Sequence, residues 1–195
     1  FHHHEPPRRV GARTDIPLVE TTKARNIGRY LQAVFKPDLV ISSPLARTRH
    51  TAAIALEIAG VQSEITIDPR FTEIDHGPDE NQLEEAVIQR IGQEALDLWN
   101  NQAKIPDGWD ADPDQLTKYW QELADCVWEQ RSKTLVVTSN GVARFAPQIC
   151  GDPSLALQLK MSTGHISMLE KKSADAAWEC VFWNREPLGM LLQSA

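Results

Sequence analysis

The pattern that most constrains the fold is an alternation of short apolar runs with helix-patterned stretches. Leu39-Val40-Ile41, Ile65-Thr66-Ile67 and Lys133-Thr134-Leu135-Val136-Val137-Thr138 are brief runs bounded by turn residues, and they read as strands. Residues 20–35 precede the first run. There Ile27, Tyr30, Leu31, Val34 and Phe35 recur at helical spacing, Thr21 or Thr22 is the expected cap, and Lys36-Pro37-Asp38 marks the end. A second helix is expected from Leu45 to Ala59, closed by Gly60. Strand–helix–strand order predicts an α/β fold with a largely parallel central sheet flanked by helices.

Residues 78–131 differ in character, being acidic, Trp-rich and helical. Helices are expected over 81–102 and 112–131, joined by a Pro- and Gly-containing loop with helix-cap chemistry at its end. The region reads as a helical insertion or lid within a single domain covering residues 1–195. Trp99, Trp120 and Trp128 read as core residues. A helix is expected over 142–150, paired and partly exposed strands over 166–170 and 178–183, and a loop-like tail after Asn184.

Ligands of open α/β sheets collect at the carboxyl ends of strands. Three such ends carry suggestive residues. The first is Phe1-His2-His3-His4-Glu5, where a single apolar residue remains of a strand, so about five or more residues are expected to precede Phe1. The histidines have other readings: an affinity-tag remnant, an exposed polar terminus, or a metal site, although neighbouring strand residues point to opposite faces and chelate poorly. The second is the Ser42-to-Arg47 turn, which puts Arg47 in the first turn of a helix, where free N–H groups already favour an anion. The third is the loop Phe71-Thr72-Glu73-Ile74-Asp75-His76-Gly77. Arg8, Arg9 and Arg13 lie on the loop after the histidines, and they suit either an anion pocket or a solvated basic loop.

A net charge of −7 argues against nucleic acid or an anionic membrane as partner, while local arginines still permit a small anionic substrate. No apolar run approaches the ~20 residues of a membrane span. Cys126, Cys150 and Cys180 are odd in number and lack metal spacing, which points to idle thiols in a reducing compartment and a cytoplasmic protein.

Taken in order, these blocks resemble the histidine phosphatase superfamily, the phosphoglycerate mutase-like family. His2-His3-His4-Glu5 stands where the family has Arg-His-Gly-Glu, and Gly11 through Leu18 matches the loop that follows. Ser42-Ser43-Pro44-Leu45-Ala46-Arg47-Thr48 is the most specific match. Phe71 through Gly77 resembles the block with the acidic residue, and Thr138-Ser139-Asn140-Gly141-Val142-Ala143-Arg144 the segment that usually reads Thr-His-Gly-Gly-Val-Ile-Arg.

The resemblance implies a three-layer α/β sandwich and a phosphatase acting on a small phosphomonoester through a phosphohistidine. His3 would be the nucleophile, Arg47 the phosphate clamp and Glu73 the general acid, with His2, Arg13, Ser139 and Asn140 as further phosphate-binding positions. It implies no metal and no cofactor and a small phosphorylated substrate as the partner; a monomer or homodimer is expected, with the edge strands near the C-terminus as the surface that could pair between subunits. Three departures stand out: His2 for the arginine, His4 for the glycine and Ser139 for the second histidine. A lost charged donor costs ~1.5–3 kcal/mol. Two such losses slow turnover by ~10²–10⁴-fold if they fall on the transition state. The alternative is therefore an impaired relative that binds a phosphorylated ligand or partner protein without turnover.

Overall fold

The computed structural model describes residues 6–154 and 158–193. The chain enters helix α1 (Thr22–Val34), strand β1 (Leu39–Ser42), helix α2 (Ala46–Ala59) and strand β2 (Ile65–Ile67). Helices α3 (Glu84–Ile91), α4 (Gln93–Gln102) and α5 (Pro113–Gln130) follow, then strand β3 (Thr134–Val137) and the short helix α6 (Asn140–Ala143). Strands β4 (Ile166–Glu170) and β5 (Glu179–Arg185) and helix α7 (Pro187–Gln193) complete the order.

β1 lies between β2 and β3 and is parallel to both, with Val40 opposite Ile65 and Leu135, and Ile41 opposite Val136. Side chains alternate across a strand, so this register sends Ile41 and Val136 to one face and Leu135 to the other. The Ile41 face packs into a core with Phe71, Trp99, Leu123 and Val142. The Leu135 face meets Tyr30 and Leu31 of α1 and Ala55 and Ala59 of α2. Helices thus cover both faces, as the alternation predicts for a parallel sheet. Each large side chain sunk completely into such a core contributes ~1.5–3 kcal/mol. β4 and β5 pair antiparallel as a sheet of their own among the described residues.

Four expectations need correction. The helix expected over 81–102 is broken between α3 and α4 at Gly92, whose φ of 87° and ψ of 155° lie outside the helical well. The helix expected over 142–150 is only α6 followed by a 3-10 turn over Ala146–Ile149, because Pro147 has no N–H and its ring displaces the carbonyl four residues back. The tail forms α7, which packs on α1 with Met190 and Leu191 against the Tyr30 cluster. Neither Thr21 nor Thr22 caps α1 with its side chain, and the Thr22 N–H is taken by the Glu20 carboxylate instead. The cap expected before α5 is present: Asp112 accepts from Asp114 N and Gln115 N, with Pro113 opening the helix.

Candidate active site

The carboxyl ends of the strands are laced together. Ser43 N–H donates to Val137 O (3.2 Å), Asp68 N–H to Ser42 O (2.9 Å) and the Thr138 hydroxyl to Phe71 O (2.6 Å). The Ser42–Arg47 turn, the Phe71–Gly77 loop and the Thr138–Asn140 turn are therefore neighbours at one end of the sheet. His2 and His3 lie outside the described residues.

Glu73 is 8% exposed. Ile74 N–H donates to its Oε1 (2.9 Å) and Gly141 N–H to its Oε2 (3.3 Å). The ion pairs among the described residues do not involve it. Burial raises its pKa, the two amides and the charges of Arg144 and Arg47 pull the other way, and the balance stays above the ordinary carboxylate value. Gly141 is needed for this contact, because a Cβ there would overlap Glu73 Oε1. An open cleft of about 230 Å³ runs past Glu73, with Arg70, Asp75, Asp110, Gln115 and Tyr119 also in its walls.

Arg47 is half-buried at the start of α2, where the sequence pattern places it. Its Nη1 donates to Thr14 O (2.7 Å) and its Nη2 lies 3.5 Å from Gly11 O. The turn carrying those carbonyls is tied on all sides. Ala12 N–H donates to Ile74 O (3.0 Å), Ala46 N–H donates to Asp15 Oδ1 (2.8 Å), and Thr14 N–H donates to Gly11 O (3.1 Å). Arg13 is mostly exposed, its Nε on Asp75 (2.8 Å) and its Nη2 on Gly77 O (2.6 Å). Arg9 pairs with Glu84 (2.6 Å), and Arg8 donates to Asn81 O (2.8 Å). The three arginines of this loop thus spend donors on residues 75–84.

Ser139 is buried and opens α6, its carbonyl accepting from Val142 N and Ala143 N while its hydroxyl makes no capping bond. Half-buried Asn140 accepts at its carbonyl from Arg144 Nε (3.0 Å). Arg144 stands five residues beyond Ser139 in the same Thr138–Arg144 block. It is 2% exposed, stacks on Trp99 at 3.7 Å and donates Nη1 to Trp99 O (2.9 Å). Burial pushes its pKa down to about 9, opposed by the charge of Glu73 and assisted by Arg9.

The sequence gives no hint of a further buried carboxylate, Glu80, which looks there like one more acid in an acidic segment. It accepts from Gly11 N (3.1 Å), the Thr14 hydroxyl (2.6 Å) and His76 N (3.0 Å). Burial raises its pKa, but the bonds from Thr14, His76 and Gly11 outweigh that, and the balance is below the ordinary value. His76, in the loop after β2, is buried edge-on against Trp109 at 4.6 Å. His50 is exposed, and His165 Nδ1 lies 3.3 Å from Asn184 O. No group of three His, Cys, Asp or Glu side chains is placed to hold a metal, and no helix is long and apolar enough to cross a membrane, among the described residues.

The model of the histidine phosphatase superfamily (branch 1) matches residues 3–186, and the chain belongs to that family. The fold is shared with a mycobacterial glucosyl-3-phosphoglycerate phosphatase at a TM-score of 0.73 and 18% identity, over 93% of this chain and 94% of that one. It is also shared with the alpha-ribazole phosphatase of Shigella flexneri at a TM-score of 0.62 and 19% identity, over 91% of this chain and 88% of that one. Among curated proteins none matches the sequence.

Proposed function

We propose that the protein is a phosphatase that hydrolyses a small phosphomonoester through a phosphohistidine on His3. Arg47 clamps the phosphoryl oxygens, and Glu73 is the general acid. The observation that carries this reading is Glu73 itself: a buried carboxyl at the strand ends, held by two backbone amides, with a raised pKa and no ion-pair partner among the described residues. Such a group keeps a proton available for a leaving oxygen.

In the first step a neutral His3 nitrogen forms a bond to phosphorus as the phosphorus–oxygen bond to the leaving group breaks, and Glu73 gives its proton to that oxygen. In the second, water attacks the phosphohistidine, Glu73 takes a proton back, and orthophosphate leaves with the nitrogen–phosphorus bond broken. Arg47 stabilises charge on the equatorial oxygens, where most of the catalysis in phosphoryl transfer lies. The cleft beside Glu73 is the natural seat for the leaving group.

The test is hydrolysis of a chromogenic aryl phosphate across pH 5–8. His3→Ala should abolish turnover and Glu73→Ala should remove most of it, each in folded protein. Full turnover in either variant would overturn that residue's role. A second reading, binding without turnover, is favoured by the buried Ser139 where the family segment has a histidine. It predicts that orthophosphate raises the melting temperature by mass action while no product forms.

A further inference from the structure

The turn Gly11–Thr14 is gripped from two sides. Its donors, the Gly11 N–H and the Thr14 hydroxyl, point to the Glu80 carboxylate at 3.1 and 2.6 Å. Its acceptors, the Thr14 and Gly11 carbonyls, point to the Arg47 guanidinium at 2.7 and 3.5 Å. The Glu80 side of this chain is anchored in the loop that carries Glu73, because Glu80 also accepts from His76 N–H at 3.0 Å and Ala12 N–H bonds to Ile74 O at 3.0 Å. A carboxylate, a turn and a guanidinium therefore form one connected polar network between the proposed acid and the proposed phosphate clamp.

We propose that Glu80 is a positioning residue for Arg47: acting through the Gly11–Thr14 turn, it fixes where the guanidinium stands relative to Glu73. This inference rests on the reading of Arg47 as the phosphate clamp. Three features support it. Glu80 is 9% exposed and its three donors come from three different residues, so it has one geometry available. Gly11 has no room for a side chain, since a Cβ would overlap Glu80 Oε1, His76 Nδ1 and Ile74 O. The Gly11 carbonyl shares its peptide with Ala12 N–H, which donates to Ile74 O at 3.0 Å, so the acceptor facing Arg47 is also fixed from the loop that carries Glu73.

The test is a double-mutant cycle on orthophosphate affinity, measured by calorimetry and by competition against aryl phosphate hydrolysis. Glu80→Gln sets an amide N–H₂ against a donor whichever way it turns, and should weaken orthophosphate binding by ~10-fold. In an Arg47→Lys background, where the charge remains but the two-carbonyl grip is gone, the same change should cost less than ~2-fold. Equal losses in both backgrounds mean that Glu80 acts independently of Arg47 and overturn the proposal, while wild-type hydrolysis measured in parallel leaves the phosphatase reading standing. Wild-type protein that neither binds orthophosphate nor hydrolyses the ester overturns both. If Glu80→Gln does not fold, Thr14→Val removes one bond of the same chain and Thr14→Ser restores it. A loss in the first without recovery in the second overturns the proposal.

Discussion

Glu73 and Glu80 sit seven residues apart in one segment and are almost equally buried, at 8% and 9% exposure. Their titrations move in opposite directions, Glu73 upward and Glu80 downward. The difference lies in depth and in donors. Glu73 has two backbone amides, one of them long at 3.3 Å, and no ion pair. Glu80 has two amides and a hydroxyl at 2.6 Å. Glu73 is sunk deeper and its burial outweighs its two amides, whereas at Glu80 the smaller cost of burial is outweighed by three donors. The end proposed as the acid has two donors, and the other end has three.

The largest effect that would break this contrast is on turnover. Glu73→Gln should cut kcat by ~10²–10⁴-fold, the usual range for a lost general acid, without lowering the unfolding midpoint. Glu80→Gln should lower the midpoint. Paired kinetics and denaturant titrations read both, and a Glu73→Gln protein less stable than Glu80→Gln would reverse the assignment.

Next in size, Gly11→Ala forces a methyl group into Glu80, His76 and a backbone carbonyl, and should destabilise by about 2–3 kcal/mol in urea unfolding. Gly141→Ala drives the methyl into Glu73, so its loss of activity should exceed its loss of stability.

The two ends should also respond oppositely to pH. Glu73 binds its proton more tightly folded than unfolded, so its contribution is full below the ordinary 4.5 and is lost as pH rises through the folded value. For His76, burial lowers the pKa from 6.5 to about 4, with Arg9 adding to the shift. The unfolded chain takes up that proton first, so stability falls as pH drops from 6.5 toward 4. Glu80, with a depressed value, adds its own loss as pH falls. Unfolding midpoints of His76→Phe should fall less as pH drops below 6.5, and those of Glu73→Gln should fall less as pH rises above 4.5. The smallest effect is Asp15→Ala, which frees the Ala46 N–H at the start of α2 and should cost ~1 kcal/mol in thermal unfolding.

The alternation of β1, α2, β2 and β3 was legible because short apolar runs between turn residues carry their own signal, and so was the clustering of strand ends around Glu73 and Arg47. The helices expected over 81–102 and 142–150 are shorter than expected because the backbone leaves the helical well at Gly92 and loses an N–H at Pro147. Helix α7 was not legible, since its formation depends on Met190 and Leu191 finding the Tyr30 cluster. Glu80 and Arg144 could not be told from solvated charges, because nothing local distinguishes a carboxylate facing Gly11 from one facing water. Their partners lie 69 and 45 residues away.

Asp79 receives Arg90 through Nε (2.7 Å) and Nη2 (2.5 Å) and Trp109 through its ring N–H (2.7 Å), and Asp110 N–H closes on Asp75 O (2.8 Å). The chain therefore departs for α3 and α4 and returns at almost the same point, with the exit and re-entry clasped together. An excursion with tied ends is cheap to lengthen, because each doubling of a loop costs only about 0.6 kcal/mol in closure entropy. Length can be added at exposed positions such as Gln93 and Glu94, while Trp99, buried in the core and stacked on Arg144, has to stay.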